Sequence, residues 1–202
     1  DTLYKEIDFK ISGINFLTKH ISDIYDVKLD SSSLYDSDNF IQHIQTKLKL
    51  PDETIDSFLW TYRLHNPKIK LDKETKEILS FIKKNAAGVA IITDGRSLTQ
   101  RKKVTALGIE DLPIYISEEF RSEKPDSKRF DILESKNPTK DFIYVGDNLK
   151  KDFVTPNRMG WKTVGIIDDG SNIHHQSTED YPENHLPNIW IKNIFDLKKY
   201  FY

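Results

Sequence analysis

The sequence predicts an α/β protein built on a doubly wound parallel sheet, with a helical segment inserted early in the chain. Two observations carry this. From about residue 71 onward, short runs apolar at every position alternate with single amphipathic helices, the pattern of parallel strands buried on both faces. From about residue 12 to 70 the apolar residues instead recur at helical spacing, without clear strands.

The insertion comes first. Ile14, Leu17, Ile21 and Ile24 form one stripe, Phe40, Ile41, Ile44 and Leu48 a second, and Ile55, Phe58, Leu59 and Tyr62 a third. Breaks at Asp30 to Ser33 and at Leu50-Pro51 separate them. The alternating half then opens with a helix that Asp72 can cap, carrying Ile78, Leu79 and Ile82, followed by the strand Val89-Ala90-Ile91-Ile92. Ser97 can cap the next helix, with Leu98, Val104 and Leu107 inward and Gly108 closing it, before a strand over Pro113 to Ser117. Pro125 and Asp126 open a helix bearing Phe130 and Leu133, and Phe142 to Val145 is the following strand. A helix from about Asp152 ends at Gly160, with Pro156 early enough for its missing N–H to be tolerated. Thr163 to Ile167 and Asn188 to Ile191 complete the strands, and Ile194 to Phe201 is a last helix.

Composition narrows the function classes. The 202 residues carry 30 basic and 32 acidic side chains, a net charge of -2, so no basic surplus points to nucleic acid or an anionic membrane. The chain has no cysteine, which excludes disulfides, thiolate metal sites and cysteine nucleophiles. No apolar run approaches the roughly 20 residues of a membrane span, and no basic flank leads into an apolar start. A soluble, cytoplasmic protein acting on small molecules is the expectation. The oligomeric state is not legible.

In doubly wound sheets ligands bind beyond the carboxyl ends of the strands. Thr93 and Asp147 fall there. Gly146 lets the backbone turn beside Asp147, whose carboxylate suits direct ligation of a hard cation such as Mg²⁺; Asp152, one turn on, suits a water-mediated role. The plainer alternative for this pair is a helix cap and a solvated surface. Thr93, Asp94, Gly95 and Arg96 offer a hydroxyl and backbone N–H groups to phosphate oxygens, with Arg96 placed for a second anionic group, although Thr93 alone could simply close a turn. Lys124, before Pro125, could offset phosphate and carboxylate charge or could be solvated.

Taken together, "IITDGRSLTQRKKVTALGI", "SEKPDSKRF" and "YVGDNLKKDFVTPNRMGWKTVGI" resemble motifs two, three and four of the haloacid dehalogenase-like hydrolase superfamily, phosphatase branch. The opening "DTLY" resembles the tail of its first motif, Asp-x-Asp-x-Thr. The resemblance implies a core of residues 1–11 and 71–202 with a small helical cap over 12–70. It further implies phosphoryl transfer through an aspartyl-phosphate intermediate, with Thr93 binding phosphate, Lys124 steadying charge, and Asp147 with Asp152 holding Mg²⁺ or its waters. Aligning Thr2 with the motif threonine puts both catalytic aspartates, and the central strand that bears them, upstream of Asp1. The expected substrate is a small phosphorylated metabolite. If no aspartate pair precedes Asp1, the expectation becomes a catalytically inactive binding or interaction module.

Further candidates lie outside these motifs. In "FLWTYRLHNP", residues 58 to 67, Trp60 is expected to pack inward while Arg63 and His65 stay at the surface. His174-His175 is expected to be a solvated loop.

Overall fold

The computed structural model describes residues 1–173 and 176–201; His174-His175 therefore lies outside the described residues. It is an α/β fold in which all strand pairings are parallel. Three helices come first: α1 (Glu6–Tyr25), α2 (Phe40–Leu48) and α3 (Thr54–Arg63). Helix α4 (Lys73–Asn85) then begins the alternation, capped by Asp72, whose carboxylate accepts from the Thr75 N–H at 2.7 Å. There follow β1 (Ile91–Thr93), α5 (Ser97–Leu107), β2 (Ile114–Ile116), α6 (Ser117–Phe120) and α7 (Lys128–Lys136). The remainder is β3 (Ile143–Gly146), α8 (Val154–Arg158), β4 (Lys162–Ile166), β5 (Ile189–Ile191) and a 3-10 helix over Ile194–Tyr200.

Alternation along the strands shows that both faces of the sheet are covered. On β3, Ile143 and Val145 pack with Ile78 of α4, Val164, Ile191 and Leu197, whereas Tyr144 between them packs with Phe130 of α7 and Phe153. On β1, Ile91 joins Phe9, Leu79 and Val104, while Ile92 joins the Phe130 cluster. A side chain of this kind contributes about 1.5–3 kcal/mol when fully buried, as Ile78, Phe130, Phe153 and Val164 are. The first three helices have a core of their own, made by Ile14, Leu17, Ile21, Leu34, Phe40, Ile44 and Phe58. Phe9, a turn earlier on α1, belongs to the cluster beneath the sheet.

The strands do not form one continuous sheet. Among the described residues β1 pairs only with β2, and β3, β4 and β5 form a second sheet in that order. A cleft of about 1110 Å³ separates the halves, walled by Ile91, Ile92 and Thr93 on one side and Ile143, Tyr144 and Val145 on the other. The facing edges of β1 and β3 therefore carry unpaired backbone groups.

Several sequence expectations are corrected here. Ser97 is the first residue of α5 rather than its cap; its N–H is taken by Glu118 Oε2 at 2.7 Å, so a carboxylate from α6 does the capping. The short helix α6 replaces the predicted end of a strand. Helix α7 starts at Lys128, because Asp126 is occupied in a turn, its Oδ1 accepting from Ser122 Oγ and the Lys128 N–H. Ile24, expected on the inward stripe of α1, is 61% exposed. Trp60 and His65 exchange their expected places. His65 is buried against Phe9, Phe16 and Tyr62, its ring nitrogens satisfied by the Tyr62 carbonyl and Ser12 Oγ, whereas Trp60 lies outside with Arg63 stacked 5.8 Å from its ring. Among the described residues no helix is long and apolar enough to cross a membrane.

Candidate active site

Two strand ends and one loop meet at the mouth of the cleft. Thr93, Asp94, Lys124, Asp147, Asn148, Lys151 and Asp152 all line it, and Thr2 enters from the start of the chain.

The loop after β3 is organised around Asp152. One carboxylate oxygen, Oδ2, accepts from the backbone N–H groups of Asp147 (3.2 Å) and Asn148 (2.9 Å), folding residues 147–152 around it. This close approach requires glycine at 146, where an added Cβ would sit 2.8 Å from Asp152 Oδ2. The other oxygen, Oδ1, holds Lys124 Nζ at 2.5 Å, and Tyr144 Oη sits 3.2 Å from the same amine. Burial works against ionising this pair, but the attraction wins on both sides. Lys124 is held well above the usual lysine range, burial being outweighed by the Tyr144 oxygen, Asp152 and Asp94; Asp152 is held below the usual carboxylate range, burial being outweighed by Lys124 and the two N–H donors. Lys124 is a fixed cation and Asp152 a fixed anion with both oxygens engaged. Direct ligation of a cation by Asp152 would require giving up one of those partners.

Asp147 is different. Its Oδ1 accepts from Thr2 Oγ1 at 2.7 Å and from the Asp1 nitrogen at 2.9 Å, while Oδ2 is buried and has no partner among the described residues. A buried carboxylate oxygen left unmatched costs roughly 1–3 kcal/mol or more, and calls for an explanation such as a ligand. Mg²⁺ takes one or two protein carboxylates and completes its shell with water and phosphate, so a single free oxygen of a hard donor fits it. Among the described residues no group of three or more His, Cys, Asp or Glu could hold a metal by itself.

At the end of β1 the residues expected to cradle phosphate diverge. Thr93 faces the cleft, its hydroxyl 3.1 Å from Gln100 Oε1. Asp94 lines the cleft, but its carboxylate is tied to Arg129 Nη2 at 2.6 Å and to the Lys124 N–H at 3.2 Å. The Gly95 N–H is taken by Ser117 Oγ at 2.9 Å, and Arg96 turns to Glu118 at 2.8 Å on the exposed rim. Neither Gly95 nor Arg96 lines the cleft. Sequence reasoning passed over Arg129, Gln100 and Thr2 as site-building residues. Arg129 had a signal: an arginine on the inward side of a helix, directly before the core residue Phe130.

The model of the family described as haloacid dehalogenase-like hydrolase matches residues 2–166. A curated relative, the glyceraldehyde 3-phosphate phosphatase of Methanocaldococcus jannaschii, is 27% identical over 143 residues, which cover 67% of this chain and 62% of that protein. The chain thus spans less than two thirds of that relative's length. Among solved structures, a HAD-hydrolase of Bacillus subtilis bound to magnesium superposes with a TM-score of 0.62 at 15% identity, covering 94% of this chain and 91% of the other. A 2-haloacid dehalogenase of Pseudomonas syringae superposes with a TM-score of 0.61 at 17% identity, covering 98% and 93%. At these identities the superpositions show the fold alone, and they include more than one chemistry.

Proposed function

Since the chain belongs to the haloacid dehalogenase-like hydrolase family, we propose that it is a Mg²⁺-dependent phosphatase hydrolysing a small phosphomonoester through an aspartyl-phosphate intermediate. The observation that carries this reading is the unpartnered, buried Asp147 Oδ2, set in the same cleft as the Lys124–Asp152 pair and Thr93. A dehalogenase of this fold would have no use for a cation at that oxygen.

Each residue has a physical task. Thr93 presents a hydroxyl to a phosphate oxygen. Lys124, buried and kept charged by Asp152, neutralises phosphoryl and carboxylate charge. Asp152 also folds the loop that aims Asp147, and Thr2 fixes Asp147 from the other side. Asp147 would hold Mg²⁺, with Asp152 behind it; bound there, the ion would supply charge neutralisation and orientation of the phosphoryl group. Residues 12–70 would act as a cap over the cleft and choose the substrate.

The attacking carboxylate and the acid/base carboxylate are assigned to residues preceding Asp1. The cleft supports this, because a parallel strand between β1 and β3 would satisfy two unpaired edges and bring its carboxyl end beside Thr93 and Asp147. The nucleophile would form a bond to phosphorus as the bond to the leaving oxygen breaks, that oxygen taking a proton from the acid; water would then release phosphate. The test is hydrolysis of an aryl phosphate by the full-length natural protein, followed by a panel of phosphorylated metabolites that includes glyceraldehyde 3-phosphate. Chelation, or Asp147→Ala, is expected to abolish turnover. Activity surviving both would overturn the metal assignment, and no turnover of any phosphomonoester would favour a binding module.

A further inference from the structure

The carboxylate of Asp94 touches three segments of the chain. Its Oδ1 accepts from the Lys124 N–H (3.2 Å) and from Arg129 Nη2 (2.6 Å), and Lys151 Nζ stands 3.0 Å from Oδ2 in an ion-pair contact off the hydrogen-bonding direction. Arg129, in turn, is completely buried and donates through Nη1 to the carbonyls of Thr93 (2.8 Å) and Tyr115 (3.2 Å), binding together the ends of β1 and β2. A fully buried guanidinium is costly unless paired and hydrogen-bonded, and Asp94 is its one carboxylate partner among the described residues. The arrangement therefore joins the loop bearing Thr93, the loop bearing Lys124 and the loop bearing Asp147 through a single side chain.

Resting on the phosphatase reading above, we propose that Asp94 is not a substrate ligand but a positioning residue, anchored by Arg129, that sets the distance between the Thr93 hydroxyl and the Lys124 ammonium. The Lys124 backbone is the moving part. Without Asp94, its N–H loses its acceptor and the loop before α7 is free to drift from β1, although Nζ keeps Asp152. Misplacement of a charge-neutralising group by about 1 Å is enough to cost about a hundredfold in rate.

The experiment compares Asp94→Asn and Asp94→Ala in the full-length protein by steady-state kinetics on an aryl phosphate and by amide hydrogen exchange. Asn keeps an acceptor in place without the charge, so it should retain Lys124 amide protection and lose about tenfold in kcat; Ala should lose that protection and about a hundredfold in kcat, with KM changing far less in both. Protection of the β1 and β2 amides should persist in Asp94→Asn, which separates lost positioning from a general loss of structure. A KM raised with kcat held, in either variant, would make Asp94 a substrate ligand and overturn the proposal. So would unchanged Lys124 amide exchange in Asp94→Ala. The exchange measurement needs no turnover, so an inactive parent would sink the phosphatase reading while leaving the Asp94 tie to be decided by exchange alone.

Discussion

The loops after β1 and β3 look alike in sequence, each an apolar strand running into Gly, Asp and a polar neighbour, yet the fold uses their aspartates in opposite ways. After β3, Asp152 organises the loop and Asp147, in the wall of the cleft, keeps one buried oxygen without a partner among the described residues. After β1, Asp94 ties Lys124 to Arg129, Gly95 is bonded to Ser117, Arg96 leaves for Glu118, and Thr93 lines the cleft with its hydroxyl on Gln100. The difference teaches that a carboxylate at a strand end is left open to a ligand where the rest of the chain brings it no second partner. Asp94 meets an arginine and two lysine loops; among the described residues the Asp147 carboxylate meets Thr2 and the Asp1 nitrogen, both on one oxygen.

The comparison can be broken most forcefully at the join between the loops. Lys124→Met would leave Asp152 buried without its cation, which should cost about 3–5 kcal/mol of stability in denaturant unfolding and about a thousandfold in kcat/KM. A smaller loss would mean that the Lys124–Asp152 pair is not the fixed element described. Gly146→Ala comes next. Its new Cβ would meet Asp152 Oδ2 at 2.8 Å, so about 1–3 kcal/mol should be lost, with Asp147 displaced and activity falling alongside.

Acid titration sharpens the contrast further. Asp94 is held below the usual carboxylate range, its burial being outweighed by Lys124, Arg129 and Lys151. A group depressed in the folded state stabilises the protein above its unfolded pKa, about 3.9, and that contribution fades as pH falls through the lower folded value. Asp94→Asn should therefore lose less stability than the parent as the pH falls through and below the ordinary carboxylate range; parallel acid-unfolding curves would contradict the tie. The smallest effect belongs to the rim. Arg96 and Glu118 form a half-exposed pair, so Arg96→Ala should change the melting free energy by about 0–1 kcal/mol and leave KM within about twofold. A large rise in KM would return Arg96 to the anion-binding role that the sequence suggests.

What could be read from the chain followed from local physics. Continuous apolar runs marked the strands and apolar residues at helical spacing marked the helices, and Asp72, Gly108 and Gly146 acted where short-range geometry demands them. Boundaries failed where a distant side chain intervened, as Glu118 does at the start of α5. Site geometry depends on distant residues in the same way: Arg129, Ser117 and Glu118, to which Asp94, Gly95 and Arg96 are bonded, lie 22 to 35 residues further on.

The sequence by itself thus determined which elements form and which strand ends carry acids, hydroxyls and a lysine, because backbone propensity and apolar periodicity act over a few residues. Only the tertiary structure decided which of those polar groups is left without a partner, since pairing of buried charge depends on residues that meet only after folding: Asp94 Oδ2 lies against the Lys151 ammonium, whereas Asp147 Oδ2 has no partner among the described residues, and that oxygen is where the chemistry is proposed to lie.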